Sequence, residues 1–229
     1  MGGPGSEVEA LCRAISHELR SPLGAVLNYA SILEIDHANE LTPGARDVLA
    51  RLRRSADNAV ALLDALARLT DVERAGLSRT TVDLGALAQK AFDAVKPVGG
   101  LVRLELADVL PEVVADPTLL QTALEELFAN AIKFAGAREK ARVTLSALAS
   151  DSGGVVICVG DEGVGFEPRF APKLFQLFSR LHPRGAYPGS GVGLAVVRRI
   201  AERHGGSVWA ESEPEGGARF FVELPPAEA

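Results

Sequence analysis

Glu125-Glu126-Leu127-Phe128-Ala129-Asn130-Ala131-Ile132-Lys133-Phe134 carries two patterns at once. Glu126, Asn130 and Lys133 recur at i, i+4 and i+7 and so share one face of a helix, while Leu124, Leu127 and Ala131 supply an apolar one. A helix of this kind lies on a core with one side and presents a polar row with the other. The surroundings complete the reading. A helix is predicted over 86–95, a strand over 102–107 and this long helix over 117–134. Strands over 143–148 and 155–160, a helix over 192–204, and strands over 207–212 and 218–224 follow. Helices with a mainly antiparallel sheet make an α+β sandwich.

The polar row has chemistry available to it. An amide oxygen such as that of Asn130 suits Mg²⁺ as a hard ligand, and Lys133 suits phosphate oxygens. Any solvated helix face offers similar groups, so the row alone does not settle a function. Asp161-Glu162-Gly163-Val164-Gly165-Phe166 follows a predicted strand. Its glycines let the backbone turn closely around a ligand, and Asp161 can accept a hydrogen bond from an exocyclic amine such as that of adenine; a strand-end turn with a capping aspartate reads the same way. Gly189-Ser190-Gly191-Val192-Gly193-Leu194 precedes the helix bearing Val196, Val197 and Ile200. Glycines ahead of a helix expose N–H groups to phosphate at the positive end of the helix dipole.

Upstream, apolar residues recur at helical spacing through Val8, Leu11, Ile15, Leu19, Val26, Ala30 and Leu33, and again through Leu49, Leu52, Ala56, Ala59, Leu63, Leu66 and Thr70. Pro22 removes one backbone bond, but the stripe continues past it, so a kink is expected rather than a stop. Thr42-Pro43 reads as an N-cap with proline at the first helical position. Two antiparallel helices of about 45 Å cannot cover their own apolar faces. Two such hairpins form a four-helix bundle, and a homodimer is expected. His17 lies in Ser16-His17-Glu18-Leu19-Arg20-Ser21-Pro22, turned away from the apolar stripe. A neutral imidazole attacks through one nitrogen while a carboxylate such as Glu18 holds the proton on the other. Taken alone, the pair also fits two ordinary solvated side chains.

The 229 residues suit two domains. We expect a flexible N-terminus over 1–6, the hairpin over 7–75, a linker over 76–82, the sandwich over 83–225 and a tail over 226–229. A formal charge of −6 argues against nucleic-acid binding. No run approaches the ~20 apolar residues of a membrane span, and no leader pattern suggests secretion. Cys12 and Cys158 read as buried free thiols, which fits a reducing cytoplasm.

The three polar clusters, in this order and behind a histidine hairpin, resemble the bacterial two-component sensor histidine kinases. Residues 16–22 look like the phospho-acceptor box, 125–134 the asparagine box, 161–166 the first glycine box and 189–194 the second. Phe175-Gln176-Leu177-Phe178 resembles the phenylalanine box. Tyr187 to Gly191, running on to Glu202-Arg203-His204-Gly205-Gly206, is similar to phytochrome-like members. The resemblance implies a dimerising phosphotransfer hairpin and a GHKL-type ATP-binding domain. His17 would take the γ-phosphoryl group of Mg-ATP and pass it to an aspartate on a response regulator receiver domain, with Glu18 assisting. It further implies that Asn130 holds Mg²⁺, joined by Glu126, that Lys133 and Arg180 reach phosphate, and that Asp161 selects adenine. Gly163, Gly165, Gly189, Gly191, Gly193 and Leu194 would border the nucleotide, with Phe175 and Phe178 beside a mobile lid over 169–188. His182 and His204 read as lid-packing and helix-terminal residues rather than chemical ones. A sensor domain would lie on another chain or have been removed, or the kinase would take its signal by direct protein contact.

Two positions depart from the family pattern. Glu126 stands where these kinases carry asparagine and where gyrase- and Hsp90-type ATPases carry a water-activating glutamate. It is expected to raise ATP hydrolysis or alter Mg²⁺ binding. Ser21 replaces the threonine or asparagine of phosphatase-active members and lacks the methyl group that stiffens the threonine rotamer. The alternatives are a catalytically reduced phosphorelay adaptor or pseudokinase of the same fold, and a GHKL ATPase or anti-sigma-type serine kinase.

Overall fold

The computed structural model describes residues 4–97, 102–135, 141–150, 153–179, Leu181, Tyr187, 191–214 and 216–226, with side chains described from Ala14 onward. The chain divides into two compact units that meet between Arg74 and Ala75.

The first unit is a helical hairpin, α1 (Pro4–Ile35) and α2 (Pro43–Arg74). Residues 4–6, expected to be flexible, already belong to α1. Pro22 lies inside α1 without ending it; its missing bond costs about 3 kcal/mol, offset by the turns beyond it, where Leu23, Leu27 and Ala30 are wholly or partly buried. Between the helices, Thr42 caps α2 as predicted, its Oγ1 accepting the Ala45 N–H at 3.2 Å. Ion pairs Arg20–Asp64 and Arg53–Glu34 bridge the helices in antiparallel register. The apolar stripe of α1 divides in a way its spacing did not reveal. Ser16 and Ala30 are buried in the hairpin, while Ile15, Leu19, Val26 and Leu33 remain exposed. The stripe therefore faces outward, because a neighbouring face holding Ser16, Leu23, Leu27 and Ala30 packs on α2. Val8, Leu11 and Cys12 fall among the residues whose side chains are not described.

The second unit begins with β1 (Thr80–Asp83), α3 (Leu84–Val95), β2 (Arg103–Leu106), β3 (Glu112–Ala115) and α4 (Pro117–Ala135). Then come β4 (Arg142–Ala149), β5 (Val155–Asp161), a 3-10 turn (Pro168–Phe170) and α5 (Ala171–Leu174). It closes with α6 (Gly193–Arg203), β6 (Ser207–Ser212) and β7 (Ala218–Leu224). Residues 80–82, expected as linker, instead form β1, which pairs antiparallel with β3. Each of these strands runs into a helix through an aspartate cap. Asp83 Oδ1 accepts the Ala86 N–H, and Asp116 Oδ1 accepts those of Thr118 and Leu119.

The main sheet has the order β2-β4-β5-β7-β6. Only β2 and β4 pair parallel, so the sheet is mainly antiparallel, as predicted. The strands alternate. Val143, Leu145, Ile157, Val159, Phe220, Val222 and Leu224 are buried on the face covered by α4 and α6. Phe92 of α3 meets Phe128 of α4 edge-on, centroids 5.6 Å apart. On the other face Trp209 stacks on Phe221, and Cys158 is a free, half-buried thiol. No helix among the described residues is long and apolar enough to cross a membrane.

Candidate functional site

The second unit's polar cluster is organised by α4. Its apolar face, with Leu124, Leu127 and Ala131, is buried, and that fixes Glu126, Asn130 and Lys133 on the opposite side, each partly buried. α4 touches both glycine segments. A side chain at 163 would overlap the Phe134 carbonyl, and one at 193 would overlap Glu126 Oε2. At its C-terminal end the Phe134 ring meets Tyr187, centroids 4.9 Å apart, and the Lys133 ammonium lies 4.2 Å from the centre of the same ring.

Asp161 ends β5 on the helix-covered face and is only 8% exposed. Its Oδ1 accepts the Gly163 N–H at 2.8 Å. Its Oδ2 is buried without a partner among the described residues, as is Asn130 Nδ2. Burial pushes the Asp161 pKa up to about 6, with the Gly163 and Ala218 N–H groups pulling the other way. Burying an unmatched polar atom costs free energy. A ligand that donates to Oδ2 and accepts from Nδ2 would remove both costs. An adenine amine matches the first atom, and a phosphate oxygen matches the second.

Gly165 holds a positive φ of 63° against the Glu213 and Gly217 backbone, a conformation and a spacing that admit no side chain. Gly191, at φ 74°, turns the chain into α6. Gly193 opens that helix with Val192 at the N-cap, a residue without a capping oxygen, and Leu194 follows half-buried. The phenylalanine pair separates: Phe175 is buried beside Phe220, whereas Phe178 is exposed at φ 62°, an uncommon backbone for an aromatic residue. The segment read as a lid opens with the 3-10 turn and α5. Arg180, His182 and Gly189 lie outside the described residues.

On the hairpin, His17 and Glu18 are 81% and 83% exposed, and His17 Nδ1 lies 3.5 Å from Glu18 Oε1. Ser21, one turn on, is also exposed.

Sequence reasoning missed one polar knot. His204 is 1% exposed. Its Nε2 accepts the Asp116 N–H at 3.0 Å and its Nδ1 donates to the Ile200 carbonyl at 2.8 Å. Those two bonds require the neutral ring, and burial holds its pKa below the ordinary value. Around it, Asp116 Oδ2 accepts the Ser78 N–H, Arg79 donates to the His204 carbonyl and Arg203 to that of Ala75. Residues 75–79 are thereby tied to the second unit. Two signals were legible: His204 as a helix-terminal residue, which it is as the C-cap of α6, and Asp116 directly ahead of Pro117, as a helix cap.

A family model described as the His Kinase A phospho-acceptor domain matches residues 8–74. A second, described as the histidine kinase-, DNA gyrase B- and HSP90-like ATPase, matches residues 115–228. The phytochrome-like protein Cph1 of Synechocystis sp. is 31% identical over 92% of this chain and 28% of its own length. The chain spans between 24% and 29% of the length of the first curated relatives it matches. The solved structure of full-length ShkA in complex with AMPPNP superposes with a TM-score of 0.66 at 31% identity, covering 96% of this chain and 46% of ShkA. The ATP-binding domain of PrrB from Mycobacterium tuberculosis is similar at 30% identity and a TM-score of 0.51, over 66% of this chain and 99% of that domain.

Proposed function

The chain belongs to the histidine kinases, and from that premise we propose that it phosphorylates His17 from ATP and passes the group to an aspartate on a response regulator. The observation that carries the reading is the setting of His17: an outward-facing imidazole whose Nδ1 is approached by a carboxylate. It stands on the same chain as a buried carboxylate and amide that each lack a partner within the protein.

ATP with Mg²⁺ supplies the phosphoryl group and the charge that neutralises it. Asp161 would hold the adenine amine through Oδ2. Asn130 and Glu126 would offer oxygens to the metal, and Lys133, with Arg180, would reach phosphate. Gly191 and Gly193 let the backbone N–H groups of α6 approach the phosphates. At His17, Nε2 forms the new N–P bond as the P–O bond to ADP breaks, and the Nδ1 proton is held by Glu18. Ser21, one turn from His17, would be the residue to direct water at a phosphorylated regulator.

The exposed Ile15, Leu19, Val26, Ile32 and Leu33 of α1 support a homodimer in which two hairpins make a four-helix bundle. A cytoplasmic location fits a partner receiver domain and the reduced Cys158. The unit boundary supports a hairpin that ends at Arg74, one residue short of the expected 75, and an ATP-binding domain that includes the 76–82 stretch. Neither the adaptor nor the anti-sigma alternative has an observation in its favour.

The test is incubation with γ-³²P-ATP and Mg²⁺, comparing the unaltered chain with His17→Gln. Acid-labile, base-stable label that disappears with His17 is the expected result. Label that survives His17→Gln, or that resists acid, overturns the proposal.

A further inference from the structure

Glu126 reaches the start of α6 from another helix. Gly193 is the first residue of α6, and a side chain there would overlap Glu126 Oε2. Val192, at the N-cap, brings no oxygen of its own. The first-turn N–H groups of a helix lack intrahelical acceptors and carry about half a positive charge. Here a carboxylate supplied by α4 sits against that end. One turn along the same face of α4, Asn130 Nδ2 is buried with no partner among the described residues. Glu126 thus shares a helix face with the unmatched amide and touches the helix end that attracts anions.

We propose that Glu126 is a resident anion that makes nucleotide entry depend on a divalent cation. The inference rests on the reading of this cluster as a nucleotide site. A polyphosphate arriving without metal meets a like charge already placed at the positive helix end. One arriving with Mg²⁺ brings a cation for which the same carboxylate is a hard oxygen ligand beside Asn130. One side chain therefore opposes the first form and favours the second. A glutamine of the same shape removes the first effect and weakens the second, since it offers the metal only a neutral amide oxygen. Gly193 acquires a second role: a side chain there would overlap Glu126 Oε2, so the carboxylate would have to shift from its place against the helix end.

The experiment is calorimetric binding of AMPPNP at fixed ionic strength, once in EDTA and once in saturating Mg²⁺, which removes screening as a variable. The ratio of the two dissociation constants is the readout. Glu126→Gln should shrink it roughly tenfold, with tighter metal-free binding and weaker binding in Mg²⁺. Gly193→Ala should shift it in the same direction. Glu126→Asp, which keeps the charge, should preserve most of the discrimination. An unchanged ratio in Glu126→Gln overturns the proposal while leaving the nucleotide site in place. No binding by the unaltered chain in either buffer overturns both.

Discussion

The hairpin and the ATP unit are each incomplete, in opposite currencies. In the hairpin, large apolar residues recur at helical spacing on the outside, among them Ile15, Leu19, Val26, Ile32 and Leu33 of α1 and Val48, Leu52 and Leu62 of α2. Its polar groups are matched by exposed ion pairs. In the second unit the exposed large apolar residues, such as Val109, Leu148 and Trp209, are scattered over strands and loops. The shortfall there is polar, at Asp161 Oδ2 and Asn130 Nδ2. An apolar deficit spread over a long helix asks for another protein surface. A polar deficit concentrated in buried atoms asks for a small ligand with complementary donors and acceptors.

The strongest way to break this contrast acts on the apolar side. Ile32→Glu places an unpaired carboxylate in the predicted bundle seam, at a cost of several kcal/mol. The dimer should dissociate at least about a hundredfold more readily by sedimentation, with nucleotide binding to the second unit unchanged. A dimer indifferent to the substitution would remove the hairpin's half of the comparison.

Asp161→Asn comes next. Its folded pKa of about 6 lies above the ordinary 3.8, so the native state holds the proton more tightly than the unfolded chain. The stability this contributes is complete below about 3.8, declines as pH rises and is gone above about 6. Asparagine never ionises. The apo variant should therefore exceed the unaltered protein by roughly 2–3 kcal/mol at pH 7.5 and by little near pH 4 in urea melts. The same change puts a donor where adenine needs an acceptor, and nucleotide affinity should fall tenfold or more. Equal stability gains at both pH values would show that ionisation is not what the site stores.

The smallest effect sharpens the comparison. Arg20→Ala removes a cross-helix pair with both partners nearly half exposed, and should cost at most about 0.5 kcal/mol in a thermal melt. A larger loss would mean that the hairpin is held by charge as well as by apolar contact.

Legibility followed the range of the signals. β6 and β7 ended where predicted because glycines bracket them: Gly205 and Gly206 before, Gly216 and Gly217 between. β1 and β3 escaped because each has four residues and finds its partner some thirty positions away, with no local period to mark it. The shared helix face of Asn130 and Lys133 and the strand-end place of Asp161 were readable from residue type and spacing. The split of the α1 stripe was not, since periodicity reports an apolar face without saying which neighbour covers it. The His204 knot was hidden for another reason: its partners are mostly backbone groups, and every residue has those.

That knot also decides where the chain can be cut. Residues 75–79 are bonded to Asp116, Arg203 and the His204 carbonyl, so they travel with the ATP unit. A chimera that joined another kinase's hairpin at residue 82, the end of the apparent linker, would discard β1 and leave Asp116 and Arg203 without these partners. The clean suture is the Arg74–Ala75 bond, and the transplantable module is longer than its catalytic motifs suggest.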